Sequence, residues 1–260
     1  MRYFKIFLLH TQEVLQDRSR LFVWVLWTAV SPLLLLMFWR GAGPIQGWTY
    51  PQIASYYLLA IIIGVLLMCH HEKVIGTVDI QEGGLTAYLL KPFSYFWIKF
   101  FNELSYRLIE GIFAVGILII FIHFFSSLFV FTQSLVILLL SVVVAIGALF
   151  LSFLFKSIFG LFAFWMTDAR GAYETADVVM LILSGTLMPI SFFPQWLEQI
   201  TYLLPFPYII YFPIIAFEGK LSLLEISQVL GMQLVWILLF VFIYQQLWRS
   251  GVKKYTGVGQ

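Results

Sequence analysis

Between Ser134 and Met166 the chain carries a single charged residue, Lys156. A helix that crosses a bilayer needs about 20 mostly apolar residues. This run is too long for one untilted span and too apolar for the surface of a soluble helix. It points to helices that satisfy their own backbone polar groups while their side chains meet lipid. The rest of the chain agrees, being 62% hydrophobic and 11% charged, where a soluble domain carries about 25% charged residues. The 27 Phe and 9 Trp suit lipid-facing helices with interfacial anchors.

These runs predict an all-α integral membrane fold with six spans in one transmembrane domain over residues 1–260. The spans fall at 21–39 with a kink at Pro32, 53–69, 108–123, 135–155 ending at or beyond Lys156, 178–193 and 226–248. Between the second and third lies a polar stretch, 70–107, and between the fourth and fifth a polar connection, 167–177. Residues 40–52 form a turn-rich loop. Residues 194–224 hold Pro194, Pro205, Pro207 and Pro213 among aromatics. They are too broken for a clean span and too apolar for an open loop, so a re-entrant or interfacial hairpin is expected, its backbone shielded by protein.

The N-terminus is not a cleavable signal peptide, because Glu13, Asp17, Arg18 and Arg20 interrupt it before an apolar core of usual length. Phe4, Phe7, Leu8, Thr11, Val14 and Leu15 instead recur at helical spacing. They predict an amphipathic helix over 3–18, within an interface segment 1–20; a cytosolic extension of the first span is the alternative. Of the fifteen Lys and Arg, only Arg40 and Lys220 fall outside when the N-terminus is placed in the cytosol. The positive-inside rule then sets both termini in the cytoplasm and makes residues 194–224 extracytoplasmic. The location expected is the cell membrane of a bacterium, spanned several times.

The cytosolic segment 72–100 contains D-I-Q-E-G-G-L-T-A-Y-L-L-K-P at 79–92. Gly83-Gly84 permits a tight turn and Pro92 closes the segment. Leu85, Leu89 and Leu90 fall at i, i+4 and i+5, giving a short amphipathic helix. Spacing leaves two readings open: a rigid lever coupled to a soluble partner, or a turn lying on lipid headgroups.

The stretch I-Q-E-G-G-L-T-A-Y-L-L-K-P resembles the segment between the second and third spans of ABC-2 type permeases, the membrane subunits of ATP-binding-cassette exporters. Ile80, Gly83, Leu89, Leu90, Lys91 and Pro92 match, and Thr86 stands where the family often has Asp. Phe164-Trp165, L-S-G-T-L-M-P-I-S-F-F-P-Q-W-L at 183–197, L-P-F-P-Y at 204–208 and Pro213 resemble later parts of the same family. The resemblance implies that residues 79–92 form a coupling helix seated on a separate nucleotide-binding ATPase subunit. Ile80, Gly83, Leu85, Leu89, Leu90, Lys91 and Pro92 would make that docking surface, and the N-terminal helix would brace the same subunit. It also implies a second permease, as homo- or heterodimer, with a path between first, second and fifth spans for a hydrophobic or amphipathic solute or a lipid, exported outward. Glu110, Gly185, Pro189 and Pro194 are the candidate path or gate residues.

The chain holds no ATP site of its own, so ATP and Mg belong to the partner subunit. Gly219-Lys220 has Ile214 where a P-loop needs Gly, and Leu221 where it needs Ser or Thr. Leu183-Ser184-Gly185 lies within a span. The lone Cys69 excludes an internal disulfide and a Cys-rich metal site. His70 and His71 project about 100° apart on a helix and are not expected to share a metal. Glu103, Arg107 and Glu110, at i, i+4 and i+7, can pair along one face. An acid as deep as Glu110 is a functional candidate, with pairing to Arg107 as the structural alternative. Without a basic patch, nucleic acid is not a partner. Two other classes stay open: a polytopic enzyme acting on lipid headgroups, which would need clustered His, Asp or Arg at one face, and a secondary transporter, which would show repeat symmetry and midplane charges.

Overall fold

The computed structural model describes residues 2–40 and 47–256, so part of the expected 40–52 loop lies outside the described residues. Ten α-helices, a π-helix and short 3₁₀ turns carry the described chain. Four helices are long and apolar enough to cross a membrane: α3 (Tyr50–Leu67), α5 (Tyr95–Phe125), α6 (Leu135–Leu161) and α10 (Leu223–Lys254). A fifth crossing is made if α8 (Gln195–Leu203) and α9 (Tyr211–Phe217) count as one broken span; they are bent by 71° across the Pro205–Pro207 turn. The described residues thus give four to five candidate spans where the apolar runs suggested six. The difference lies in the first and fifth. α2 (Arg18–Arg40) is a continuous 23-residue helix that runs through Pro32 and covers the expected first span, and Leu21–Ser31 is its apolar stretch among the described side chains. α7 (Arg170–Leu183) is a 14-residue helix that ends before the Gly185 turn, so it starts and stops earlier than the expected 178–193.

Other boundaries move for an electrostatic reason. α5 begins at Tyr95, thirteen residues before the expected Leu108. Its Lys99, Glu103, Arg107 and Glu110 are buried and paired, so the charges at the end of the expected polar stretch are accommodated in one continuous helix. α6 passes through Lys156 to Leu161 because that ammonium is buried against Glu72 and Asp177. Residues 170–177, expected as a polar connection, are the first turns of α7.

Helix starts follow local chemistry. Ser222 and Glu225 form a capping box at α10, Thr49 and Gln52 one at α3 with Pro51 in the first turn, and the Ser134 hydroxyl accepts from the Ile137 amide at α6. α3 is the central helix: 61% of its apolar window is buried, against 22–33% in the other three spans. α2 and α5 flank it, α9 seats on it and on α6, and α10 packs along α6. α6 exposes Leu135, Val136, Leu139 and Val143, and α10 exposes Leu234, Val235, Leu238 and Phe242. Apolar faces this continuous are not stable in water and meet lipid.

α1 (Arg2–Gln16) packs against α5, where the Ser105 hydroxyl donates to the Phe7 carbonyl at 3.1 Å and His10 sets its ring edge-on to Tyr106. Of the expected apolar stripe, Val14 is buried, while Phe4, Leu8 and Leu15 stay exposed. At the end of the bundle holding α8 and α9, Tyr56 donates to the Gly185 carbonyl at 2.7 Å and Tyr57 to the Leu187 carbonyl at 2.9 Å. Gln233, buried on α10, donates to Val144 and Tyr208 carbonyls, joining α6 to the Pro205–Pro207 turn.

Candidate functional site

At the other end of the bundle the chain leaves α3 at Leu67, passes through Met68–His71 as irregular backbone, and winds into a π-helix, Val74–Gln81. A π-helix of eight residues is rare, and such segments concentrate at functional sites. Gly83, with φ +87°, then reverses the chain, a conformation that side chains with a Cβ rarely adopt. The five-residue α4 (Leu85–Leu89) follows, and α5 starts at Tyr95.

This insert is held on three sides. Asp79, buried on the π-helix, accepts from the Tyr95 hydroxyl at 2.5 Å and pairs with Lys99 at 2.6 Å. Lys99 also lies over the Tyr88 ring at 4.6 Å. Gln81 donates its amide to the Met166 and Thr167 carbonyls of the α6–α7 connection. Tyr255, just past α10, donates to the Gly83 carbonyl at 2.8 Å and shares a hydrogen bond with Thr86. Thr86, which stands where the resemblance has an Asp, thus ties α4 to the end of α10.

Beneath the insert lies a buried charge network. Lys156 meets Glu72 at 3.2 Å and also pairs with Asp177. Two carboxylates around one ammonium leave a negative excess. Burial pushes the Glu72 carboxyl above its ordinary range, and Lys156 offsets only part of this. Arg107 bridges Glu103 at 3.0 Å and Glu110 at 3.1 Å, and donates to the Val65 carbonyl near the end of α3. His71 points to Ser157 and stacks on Phe153, while Glu72 turns to Lys156 and His70 is exposed; the two histidines diverge, but on irregular backbone and not on the helix expected for them.

Two grooves border the insert. One, of about 530 Å³, runs from Tyr88, Lys91 and Phe93 to Tyr244 and Trp248 of α10. The other, of about 450 Å³, is lined by Ile6, Leu9 and Glu13 of α1 together with Tyr88, Lys91 and Phe93. The N-terminal helix and the insert therefore share one surface. A family model described as an ABC-2 family transporter protein matches residues 25–259. The chain belongs to the ABC-2 transporter family. No curated protein and no solved structure matches it. The ABC-2 family is a membrane transport component, not itself an ATPase, and generally works with an ATPase subunit.

In this ABC-2 permease the expected docking residues divide. Ile80 and Leu85 are buried in the chain's own core, and Gly83 forms the turn. Leu89, Leu90, Lys91 and Pro92 are exposed. The single apolar face expected for Leu85, Leu89 and Leu90 is not formed: α4 is little more than one turn, with Leu85 aimed inward and Leu90 82% exposed. The four path candidates are not one cluster. Gly185 (φ +89°) is buried beside Tyr56, Pro189 is buried, and Pro194 is exposed ahead of α8. Glu110 sits with Arg107 near Val65, roughly 13 Å farther along α3 from Tyr56. The positions that hold the insert together, Asp79, Lys99, Tyr95, Tyr255, Glu72 and Asp177, carry no local sequence signal beyond their charge or ring; their partners are remote in the chain.

Proposed function

We propose that this permease couples ATP hydrolysis on a separate nucleotide-binding subunit to outward movement of a hydrophobic or amphipathic solute or a lipid, and that residues 79–92 receive the motor's force. The supporting observation is the contrast within the insert. Leu89, Leu90, Lys91 and Pro92 are exposed, yet their base is fixed to α5 through Asp79–Lys99, to the α6–α7 connection through Gln81, and to the end of α10 through Tyr255. A push on the exposed residues would reach three transmembrane helices without being lost in a loop. The groove shared with α1 supports a motor subunit that touches both. In this reading both termini and the insert face the cytoplasm, α8 and α9 face outside, and a second permease completes the path.

The test is a pull-down of the tagged protein from its native membranes in mild detergent, with mass spectrometry. A stoichiometric P-loop ATPase is expected with wild type and lost with Leu90→Glu, while the variant keeps its monodisperse profile. Absence of any ATPase from the wild-type preparation, even with nucleotide and lipid added, would overturn the reading.

A further inference from the structure

Where α3 gives way to the π-helix, three metal-binding side chains converge. Cys69, His71 and Glu103 each present one donor atom, and the three atoms lie within 4.8 Å of one another, all in buried residues. They come from the irregular link and from α5, a juxtaposition that the adjacent-histidine pattern did not reveal.

The histidine is oriented as a ligand is. Its Nε2 is 2.8 Å from the Ser157 hydroxyl. With Nε2–H donating there, Nδ1 carries a lone pair. Nδ1 has no hydrogen-bond partner, in a residue only 5% exposed. It faces Glu103 Oε2 at 4.0 Å. In that tautomer two lone-pair groups face each other in a buried site, and a cation between them relieves the repulsion. Arg107 bonds the other oxygen of Glu103, so it does not occupy this gap. Arg107 also serves two acids, Glu103 and Glu110, which leaves a negative excess for a cation to offset.

The geometry points to a site for one zinc-class divalent ion held by Cys69 Sγ, His71 Nδ1 and Glu103 Oε2. Thiolate and imidazole select a borderline-soft metal over calcium or magnesium. Zinc bonds of 2.0–2.3 Å in a tetrahedron put donors roughly 3.3–3.7 Å apart, so the side chains close by about 1 Å on binding. The Cys69 thiol loses its proton to solvent as the metal–sulfur bond forms, and a water takes the fourth position. The ion would pin the root of the insert to α5. It would thereby set the stiffness of the link between α3 and the π-helix, whether or not residues 79–92 dock an ATPase.

Cobalt(II) is the probe, added to chelator-stripped protein in detergent, purified on a tag without histidine or cysteine. Cys69 is the one cysteine in the chain, so thiolate-to-cobalt charge transfer reports this site alone. The expected result is saturation at one equivalent with a charge-transfer band and tetrahedral visible bands, both abolished by one equivalent of zinc. His71→Gln should weaken cobalt binding at least tenfold, and Cys69→Ser should remove the charge-transfer band. Wild-type protein that gives no such band at saturating cobalt overturns the proposal, and this outcome does not depend on any variant folding.

Discussion

Tyr255 donates its hydroxyl to the Gly83 carbonyl at 2.8 Å, joining positions 172 residues apart. The carbonyl belongs to the left-handed turn that starts α4, and the tyrosine follows the last turn of α10. Movement of the insert and movement of α10 are therefore linked at one atom pair. Tyr255→Phe removes this bond and the one to Thr86. At about 1 kcal/mol net for each bond, the fold should survive while amides of 83–90 exchange several-fold faster. Hydrogen exchange read by mass spectrometry checks this. Unchanged protection across 83–90 would show that Tyr255 does not restrain the turn.

Asp79 and Lys99 form a buried pair at 2.6 Å. Removing one partner of a buried pair costs about 3–5 kcal/mol, because the other charge stays buried. Asp79→Asn should therefore lower the unfolding midpoint sharply, more than any exposed change in the insert. Asp79→Asn with Lys99→Met should recover most of the loss. Denaturant unfolding in detergent of wild type, Asp79→Asn, Lys99→Met and the double variant gives the coupling, and an additive double variant would mean the pair contributes nothing.

Glu72 lies outside the apolar spans, and its carboxyl is raised by burial. The folded state then binds the proton more tightly than the unfolded chain, whose carboxyl titrates near its ordinary value of about 4.3. The stability from this proton is complete below that value and is lost as pH rises through the folded one. Asp177 keeps Lys156 paired when Glu72 is neutral. Wild-type protein should thus lose stability relative to Glu72→Gln as pH climbs above the ordinary carboxylate range. Thermal unfolding at a series of pH values reads the difference, and one that narrows with rising pH would reverse the sign argued here.

What could be read from the chain alone depended on how far apart the interacting residues lie. α3, α6 and α10 were visible because each is a long apolar run. Glu103–Arg107–Glu110 was visible because its spacing is local to one helix turn. The early start of α5 was hidden. Lys99 reads as a cytosolic charge until Asp79, on another element, is placed beside it. The same holds for Lys156, whose acids come from both sides of the chain. Convergence of Cys69, His71 and Glu103 needed both the break after α3 and the position of α5.

Leu85 and Leu90 separate folding from docking within one short helix. Leu85 is fully buried and Leu90 is 82% exposed. An aspartate at 85 would bury an unpaired carboxyl and lose apolar packing, a change of several kcal/mol. The same substitution at 90 meets only the surroundings and should stay within about 0.5 kcal/mol. Leu85→Asp should therefore reduce the yield of folded protein, while Leu90→Asp should unfold at the wild-type temperature. Transport in reconstituted vesicles, with the ATPase present, then isolates the exposed residue's role. A Leu90→Asp protein that is stable but fails to transport places the force-bearing contact on the outer face of α4, and one that transports normally removes Leu90 from it.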